Sequence, residues 1–163
     1  MVEPAVTRDE VLQWLAEVPD PEIPVVSIME LGIVRDVQCG ADVVVSLSPT
    51  YSGCPATEAI EANVIAALED RGVADVKIKR VLSPPWTTDW ISDVGREKLR
   101  KYGIAPPERG GSRQALLHGQ RCVPCPRCES EDTEVVSEFG STACKASYRC
   151  KDCLEPFEYF KCI

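Results

Sequence analysis

Two Cys-x-x-Cys pairs near the end of the chain carry the clearest chemistry: Cys125-Pro126-Arg127-Cys128 and Cys150-Lys151-Asp152-Cys153. Each pair can form a tight turn that aims both sulfurs at one cation, and two such turns supply the thiolates of a closed tetrahedral zinc site. The 21 residues between Cys128 and Cys150 slightly exceed the usual spacing of about fifteen to twenty. They hold strand-like runs at 133–139 and 146–149 that can fold back as a hairpin, so a zinc ribbon is expected over 121–163. Cys122 with Cys125 has the same spacing and is an alternative first knuckle. Pro126 directly after Cys125, and the shorter path to the hairpin, favour the later pair. Glu129 and Leu154 stand where a glycine often follows the second cysteine. A disulfide framework is the competing reading, disfavoured because the N-terminus does not read as a secretory signal and cytosolic thiols stay reduced.

The second reactive group is Cys54, in the loop Ser48-Pro-Thr-Tyr-Ser-Gly-Cys-Pro55. Gly53 lets the backbone turn, and Pro55 suits the first position of a helix. At that helix start the dipole and free N–H groups favour an anion, which makes Cys54 a candidate metal or sulfur ligand. A small buried filler is the equal alternative. Asp20 and Glu22, in the rigid loop Asp20-Pro21-Glu22-Ile23-Pro24, could join a hard-ligand or partner site, or simply cap a turn. Trp86 and Trp90 flank Thr87-Thr88-Asp89 and are either core or a docking surface. His118, the sole histidine, reads as a solvated linker residue.

The elements that must position these groups follow from patterning. Thr7-Arg-Asp-Glu10 is a capping box ahead of a helix with Val11, Leu12, Leu15 and Val18 on one face, ended by Pro19 and Pro21. Two β-branched runs, 33–37 and 43–47, are separated by Gly40-Ala41-Asp42, a plausible hairpin turn. Ile60, Val64, Ala67 and Leu68 share a face of a second helix that stops at Gly72, and 76–82 is a third strand. A third helix runs from Ile91 to about Tyr102 and ends at Gly103. The expected fold class is α+β, a small mixed sheet with helices on one face over 1–104, a proline- and glycine-rich linker at 105–120, and a small zinc-ribbon β domain over 121–163.

Bulk properties narrow the function. The chain has 163 residues, 44% hydrophobic, enough for a packed core. Residues 1–105 carry 10 Lys+Arg against 17 Asp+Glu, and 106–163 carry 8 against 9. Without a basic run, neither part is expected to bind nucleic acid. No apolar run approaches a membrane span, and the expected compartment is the cytoplasm. The sequence holds no Gly-rich phosphate loop, Ser-His-Asp or Cys-His arrangement, or Glu-x-x-His pair, and a four-sulfur zinc site leaves no open position. The chain is therefore expected not to be an enzyme.

Asp20-Pro21-Glu22-Ile23-Pro24, Thr50 to Pro55, and Pro84-Pro85-Trp86-Thr87-Thr88-Asp89-Trp90-Ile91 resemble the domain shared by cytosolic iron-sulfur assembly factors of the MIP type and bacterial SufT proteins. The second half, from Cys-Pro-Arg-Cys through Phe139-Gly140-Ser141-Thr142-Ala143-Cys144-Lys145-Ala146 to Glu155-Pro156-Phe157-Glu158-Tyr159-Phe160-Lys161-Cys162, is similar to one branch, the PaaD (PaaJ) family of the phenylacetyl-CoA epoxidase system. The resemblance implies an accessory role in aerobic phenylacetate catabolism, assisting maturation of an iron-sulfur or iron centre in a partner, with the reductase component as the expected partner. It implies that Cys54 is the ligand for a transient iron or iron-sulfur cargo, with Asp20, Glu22 and Thr50 around it. Structural zinc would sit on Cys125, Cys128, Cys150 and Cys153. Cys122, Cys144 and Cys162 are left as second-site ligands or packed thiols, and a homodimer sharing a cluster between paired Cys54 thiols stays open. The alternative is a zinc-stabilised protein-protein interaction module with no metal-delivery role.

Overall fold

The computed structural model describes residues 6–110 and 123–161. The chain divides into two compact units, Met1–Trp86 and Thr87–Ile163.

In the first unit, helix α1 (Arg8–Leu15) begins at the expected capping box: the Glu10 amide donates to the Thr7 hydroxyl, and the Thr7 amide donates to the Glu10 carboxylate at 2.9 Å. Val11 and Leu15 are buried beneath it. Strands β1 (Val34–Cys39) and β2 (Val43–Leu47) form the antiparallel hairpin, and β3 (Val76–Arg80) lies parallel to β2, giving the order β1-β2-β3. A parallel pair needs a crossover, and helix α2 (Ala56–Glu69) provides it. Ala56, Ile60, Val64 and Leu68, each four residues apart, are its buried face. Helix α1 touches α2 and β1, and α2 touches β3. The crossover matters for function: it sets the Cys54 loop at the carboxyl end of β2, where α/β folds characteristically place ligands.

The second unit starts with a single 3-10 turn, Thr88–Trp90, and helix α3 (Asp93–Tyr102), whose start is capped by the Ser92 hydroxyl accepting from the Gly95 amide at 3.0 Å. Arg96 ties this segment together by donating to the carbonyls of Thr88, Ile91 and Pro107. Strands β4 (Ile104–Ala105), β5 (Thr133–Ser137), β6 (Lys145–Cys150) and β7 (Pro156–Phe160) form a second sheet in the order β4-β7-β6-β5. Its core holds Ala105, Val123, Cys125, Ala146, Tyr148, Cys150, Phe157 and Tyr159. Tyr148 stacks on Phe157 at 5.7 Å and meets Tyr159 edge-on at 5.6 Å.

Two expectations need correcting here. Helix α3 belongs to the second unit, not to a domain ending at 104, because Ile104 and Ala105 pair in parallel with Glu158 and Tyr159 of β7. Ala105 is thus a buried strand residue rather than the first residue of a linker; positions 111–120 of that linker, with His118, lie outside the described residues. The ribbon also has a third strand of its own, β7, beyond the expected hairpin. Its signal was the alternation of Phe157 and Tyr159 with Glu158.

One turn of the ribbon is pinned by a buried charge. Lys145, only 4% exposed, meets Glu158 at 3.1 Å, and the same carboxylate accepts from the Ser141 amide at 2.6 Å. Despite desolvation, which raises it, Glu158 is held below its ordinary value by Ser141 and Lys145. A Cβ on Gly140 would come within 2.6 Å of the Glu158 carboxylate and 3.2 Å of Lys145 Cβ. Gly140→Ala is therefore expected to displace the carboxylate from Lys145 and cost about 1–3 kcal/mol. A thermal melt unchanged from wild type would refute this.

Candidate metal centre and the Cys54 loop

The second unit brings Cys125, Cys128, Cys150 and Cys153 together, with all four sulfurs within 4.8 Å of one another. Cys125 and Cys153 Sγ atoms are 3.7 Å apart, and those of Cys128 and Cys150 are 3.6 Å apart. A tetrahedral zinc with bonds of about 2.3 Å places its sulfurs roughly 3.8 Å apart, so the cluster already has the size of a zinc coordination sphere. These separations are far beyond a disulfide bond of about 2.05 Å. No described cysteine is disulfide-bonded.

Each knuckle is a turn closed by backbone hydrogen bonds. The Glu129 amide donates to the Cys125 carbonyl at 2.9 Å, the Cys125 amide to the Ser130 carbonyl at 2.9 Å, and the Cys150 amide to the Glu155 carbonyl at 3.0 Å. Glu129 and Leu154 adopt φ values of 62° and 63°. They make the left-handed turn that glycine usually makes, against a steric cost of roughly 1–2 kcal/mol each. The thiols differ electrostatically. The Cys150 thiol is drawn down to about 7, first by the Cys153 amide that points at its sulfur. Although the Glu155 amide pulls the other way, Cys153 is pushed up to about 12 by desolvation and the neighbouring thiols. Although the Ser130 amide pulls it down, Cys128 is likewise raised by desolvation and the neighbouring thiols, and a cation can take the place of such protons, which is the chemistry of a metal site.

The first unit places Cys54 half-buried at the start of α2. Gly53 takes φ 81°, the turn that this position was expected to need. The Cys54 amide donates to the Tyr51 carbonyl at 3.2 Å, and its carbonyl accepts from the Thr57 amide at 3.1 Å. Pro55 stands at the N-cap, one residue earlier than expected, and no side chain caps the helix. Cys54 lines a hollow of about 460 Å³ with Pro49, Ser52, Pro55, Glu58, Arg80 and Leu82 among its walls. Arg80, Glu58 and Leu82 escaped sequence reasoning. Only the parallel register that sets Arg80 beside Leu47 brings the end of β3 to this loop.

The other candidates separate. Asp20, Glu22 and Thr50 are not among the residues lining that hollow. Asp20 is buried and its Oδ1 accepts from the Glu22 amide at 2.9 Å and the Ile23 amide at 2.8 Å, so it caps its own turn. Trp86 is 4% exposed and its indole N–H donates to the Leu31 carbonyl at 2.9 Å. The docking role considered for Trp86 gives way to a core role, while Trp90 is half-buried. Cys144 is a packed thiol 3.1 Å from the Thr142 hydroxyl. Cys122 and Cys162 lie outside the described residues. Among the described residues, no helix is long and apolar enough to cross a membrane.

Comparison with known proteins follows the same division. Residues 8–80 match the model of the iron-sulfur cluster assembly protein family, and residues 110–161 match that of the PaaD zinc β-ribbon domain. The chain is 52% identical over 155 residues, 94% of its length and 92% of the relative's, to the D component of the 1,2-phenylacetyl-CoA epoxidase of Escherichia coli K12. It is 37% identical over 96 residues, 57% of its length and 90% of the relative's, to an Fe-S protein maturation auxiliary factor of Porphyromonas gingivalis. A solved domain of unknown function, DUF59, from Bacillus anthracis superposes with a TM-score of 0.53 at 28% identity, covering 56% of this chain and 90% of that one. Fold and cluster thus define an α+β protein with an iron-sulfur assembly-type domain and a zinc β-ribbon. Within that class, the chain belongs to the PaaD family, the D components of phenylacetyl-CoA epoxidase systems.

Proposed function

We propose that this chain is a non-catalytic accessory component of a phenylacetyl-CoA epoxidase system in aerobic phenylacetate breakdown, and that it helps mature an iron-sulfur or iron centre in a partner protein. The reading is carried by Cys54, a thiol set in a hollow at the uncapped start of the crossover helix, in a chain related both to an epoxidase component and to an Fe-S maturation factor. The cargo is bound there as substrate and passed on. The ribbon cysteines hold a resident zinc that fixes the second unit. The iron-sulfur reductase of the system is the partner this reading favours.

The test is to load a reductase in the presence of wild-type or Cys54→Ser chain. Cys54→Ser is expected to lower the rate of cluster acquisition at least about tenfold, the loss of one strong ligand interaction, while zinc content and melting stay as in wild type. Normal acquisition would refute delivery through Cys54. A second reading, a zinc-stabilised interaction module, draws on the exposed Val135, Val136, Phe139 and Leu154 of the ribbon, an apolar set of the kind that marks protein contacts. It predicts that normal acquisition.

A further inference from the structure

The second sheet leaves its apolar layer open on one side. Strand β5 is the last in the order β4-β7-β6-β5, so its outer backbone edge has no neighbouring strand among the described residues. Such an edge is a template for another chain unless something guards it, and Lys or Pro is a usual guard. Thr133-Glu134-Val135-Val136-Ser137 has neither. Its register with β6 slips after Val135: Val135 lies opposite Tyr148 and Ser137 opposite Ser147, which leaves Val136 as an extra, bulged residue. A bulge can blunt an edge, but this one adds an exposed apolar side chain. Val135 is 48% exposed and Val136 65%. Both stand at the level of Tyr148, whose ring packs on Phe157 and Tyr159 in the core, so the apolar layer runs to the rim of the sheet and ends in solvent.

Phe139, two residues past the strand, extends this patch with a ring that is 68% exposed and already held in place. The Ser137 hydroxyl donates to the Phe139 carbonyl at 2.8 Å and accepts from the Phe139 amide at 3.2 Å. The Lys161 ammonium sits 4.7 Å from the ring centroid and donates to the Glu138 carbonyl at 2.9 Å. A ring fixed in this way loses little freedom when a partner covers it.

The charge around the patch decides which partner fits. Residues 129–139 hold Glu129, Glu131, Asp132, Glu134 and Glu138, and no Lys or Arg. Asp132 and Glu134 are answered from within the chain by Lys151 at 2.9 Å and Arg149 at 2.5 Å, whereas Glu129 and Glu138 form no ion pair among the described residues. A second copy laid along β5 would bring the same acidic run against itself, between chains that each carry a net charge of -8. An apolar segment flanked by Lys or Arg meets the strand with opposite charge instead.

We infer that the β5 edge, with Val135, Val136 and Phe139, is the docking surface for another protein of the epoxidase system, which lays an extended apolar segment flanked by Lys or Arg along it. The inference rests on the accessory role proposed above and not on cargo binding at Cys54, which belongs to the other unit of the chain.

The test titrates full-length, zinc-loaded wild type, Val136→Asp, Phe139→Ala, Glu138→Lys and Cys54→Ser against each purified protein of the system in turn, the reductase first, by calorimetry at low and at raised salt. One of these proteins is expected to bind the wild type, and to bind it more weakly as salt rises. Val136→Asp and Phe139→Ala are each expected to weaken that binding at least about tenfold, with melting and zinc content unchanged. Glu138→Lys should weaken it as well, and Cys54→Ser should bind like the wild type. Binding that survives both Val136→Asp and Phe139→Ala, binding strengthened by Glu138→Lys, or the lack of any binding component would overturn the inference. So would a wild-type dimer in sedimentation that Val136→Asp disperses, since that assigns the edge to a second copy. If Cys54→Ser both docks and supports cluster acquisition normally, delivery through Cys54 fails while the docking surface stands.

Discussion

Cys150→Ser is expected to strip the chain of zinc and melt the second unit while the first unit keeps its own transition. Cys150 is fully buried in the ribbon core with Tyr148 and Phe157, so under the proposed zinc site its sulfur would serve both as ligand and as packing. Serine would leave an oxygen that binds zinc poorly and three thiols crowded around an incomplete site. Structural zinc contributes about 10–16 kcal/mol in small zinc-binding domains, comparable with the whole stability of an ordinary domain at roughly 5–15 kcal/mol. Losing most of it matches the whole stability of such a domain, and the sheet has an outer strand, β4, only two residues long. Zinc content by elemental analysis and amide exchange across 123–161 would read the change. Cys144→Ser is the control: this thiol is buried yet outside the cluster, and its replacement should retain zinc. A Cys150→Ser chain that keeps both zinc and protected amides would sink the assignment.

Trp86→Ala is expected to cost about 3–5 kcal/mol, the range for deleting a large buried aromatic side chain. Part of the loss is the cavity. Part is the Leu31 carbonyl, left without the indole N–H that now reaches it at 2.9 Å. Trp86→Phe keeps most of the volume and should lose only about 1–2 kcal/mol. Trp90→Ala, starting from a half-buried ring, should fall below the Trp86→Ala loss. Urea unfolding followed by circular dichroism would rank the three. Unchanged stability for Trp86→Ala together with weakened partner binding would restore the docking role that burial argues against.

What sequence could show, and what it could not, divides along a physical line. The convergence of Cys125, Cys128, Cys150 and Cys153 was legible because two Cys-x-x-Cys pairs at this spacing have few other uses, and the turns form even though Glu129 and Leu154 replace the expected glycines. The capping box at Thr7 and Glu10 and the buried face of α2 were legible because each is settled within a few residues. The assignment of α3 to the second unit was not, since it depends on Ile104 and Ala105 finding β7 more than fifty residues later. Arg80 and Leu82 were invisible as neighbours of Cys54 for the same reason: parallel pairing is non-local. Asp20 and Trp86 each had two readings from sequence, a site role or a structural one, because carboxylates and tryptophans serve both. Their partners, two backbone amides and one backbone carbonyl, show the commoner uses of those side chains.

The central claim is that one chain holds two metal chemistries, a resident zinc on the ribbon and an iron-bearing cargo on Cys54. Elemental analysis with an absorption spectrum, on wild type and Cys54→Ser purified without oxygen, tests it most directly. The account predicts zinc in equal amount in both proteins, with iron and visible sulfur-to-iron absorption in the wild type alone. Iron at the same level in Cys54→Ser, or zinc lost along with it, would contradict the account.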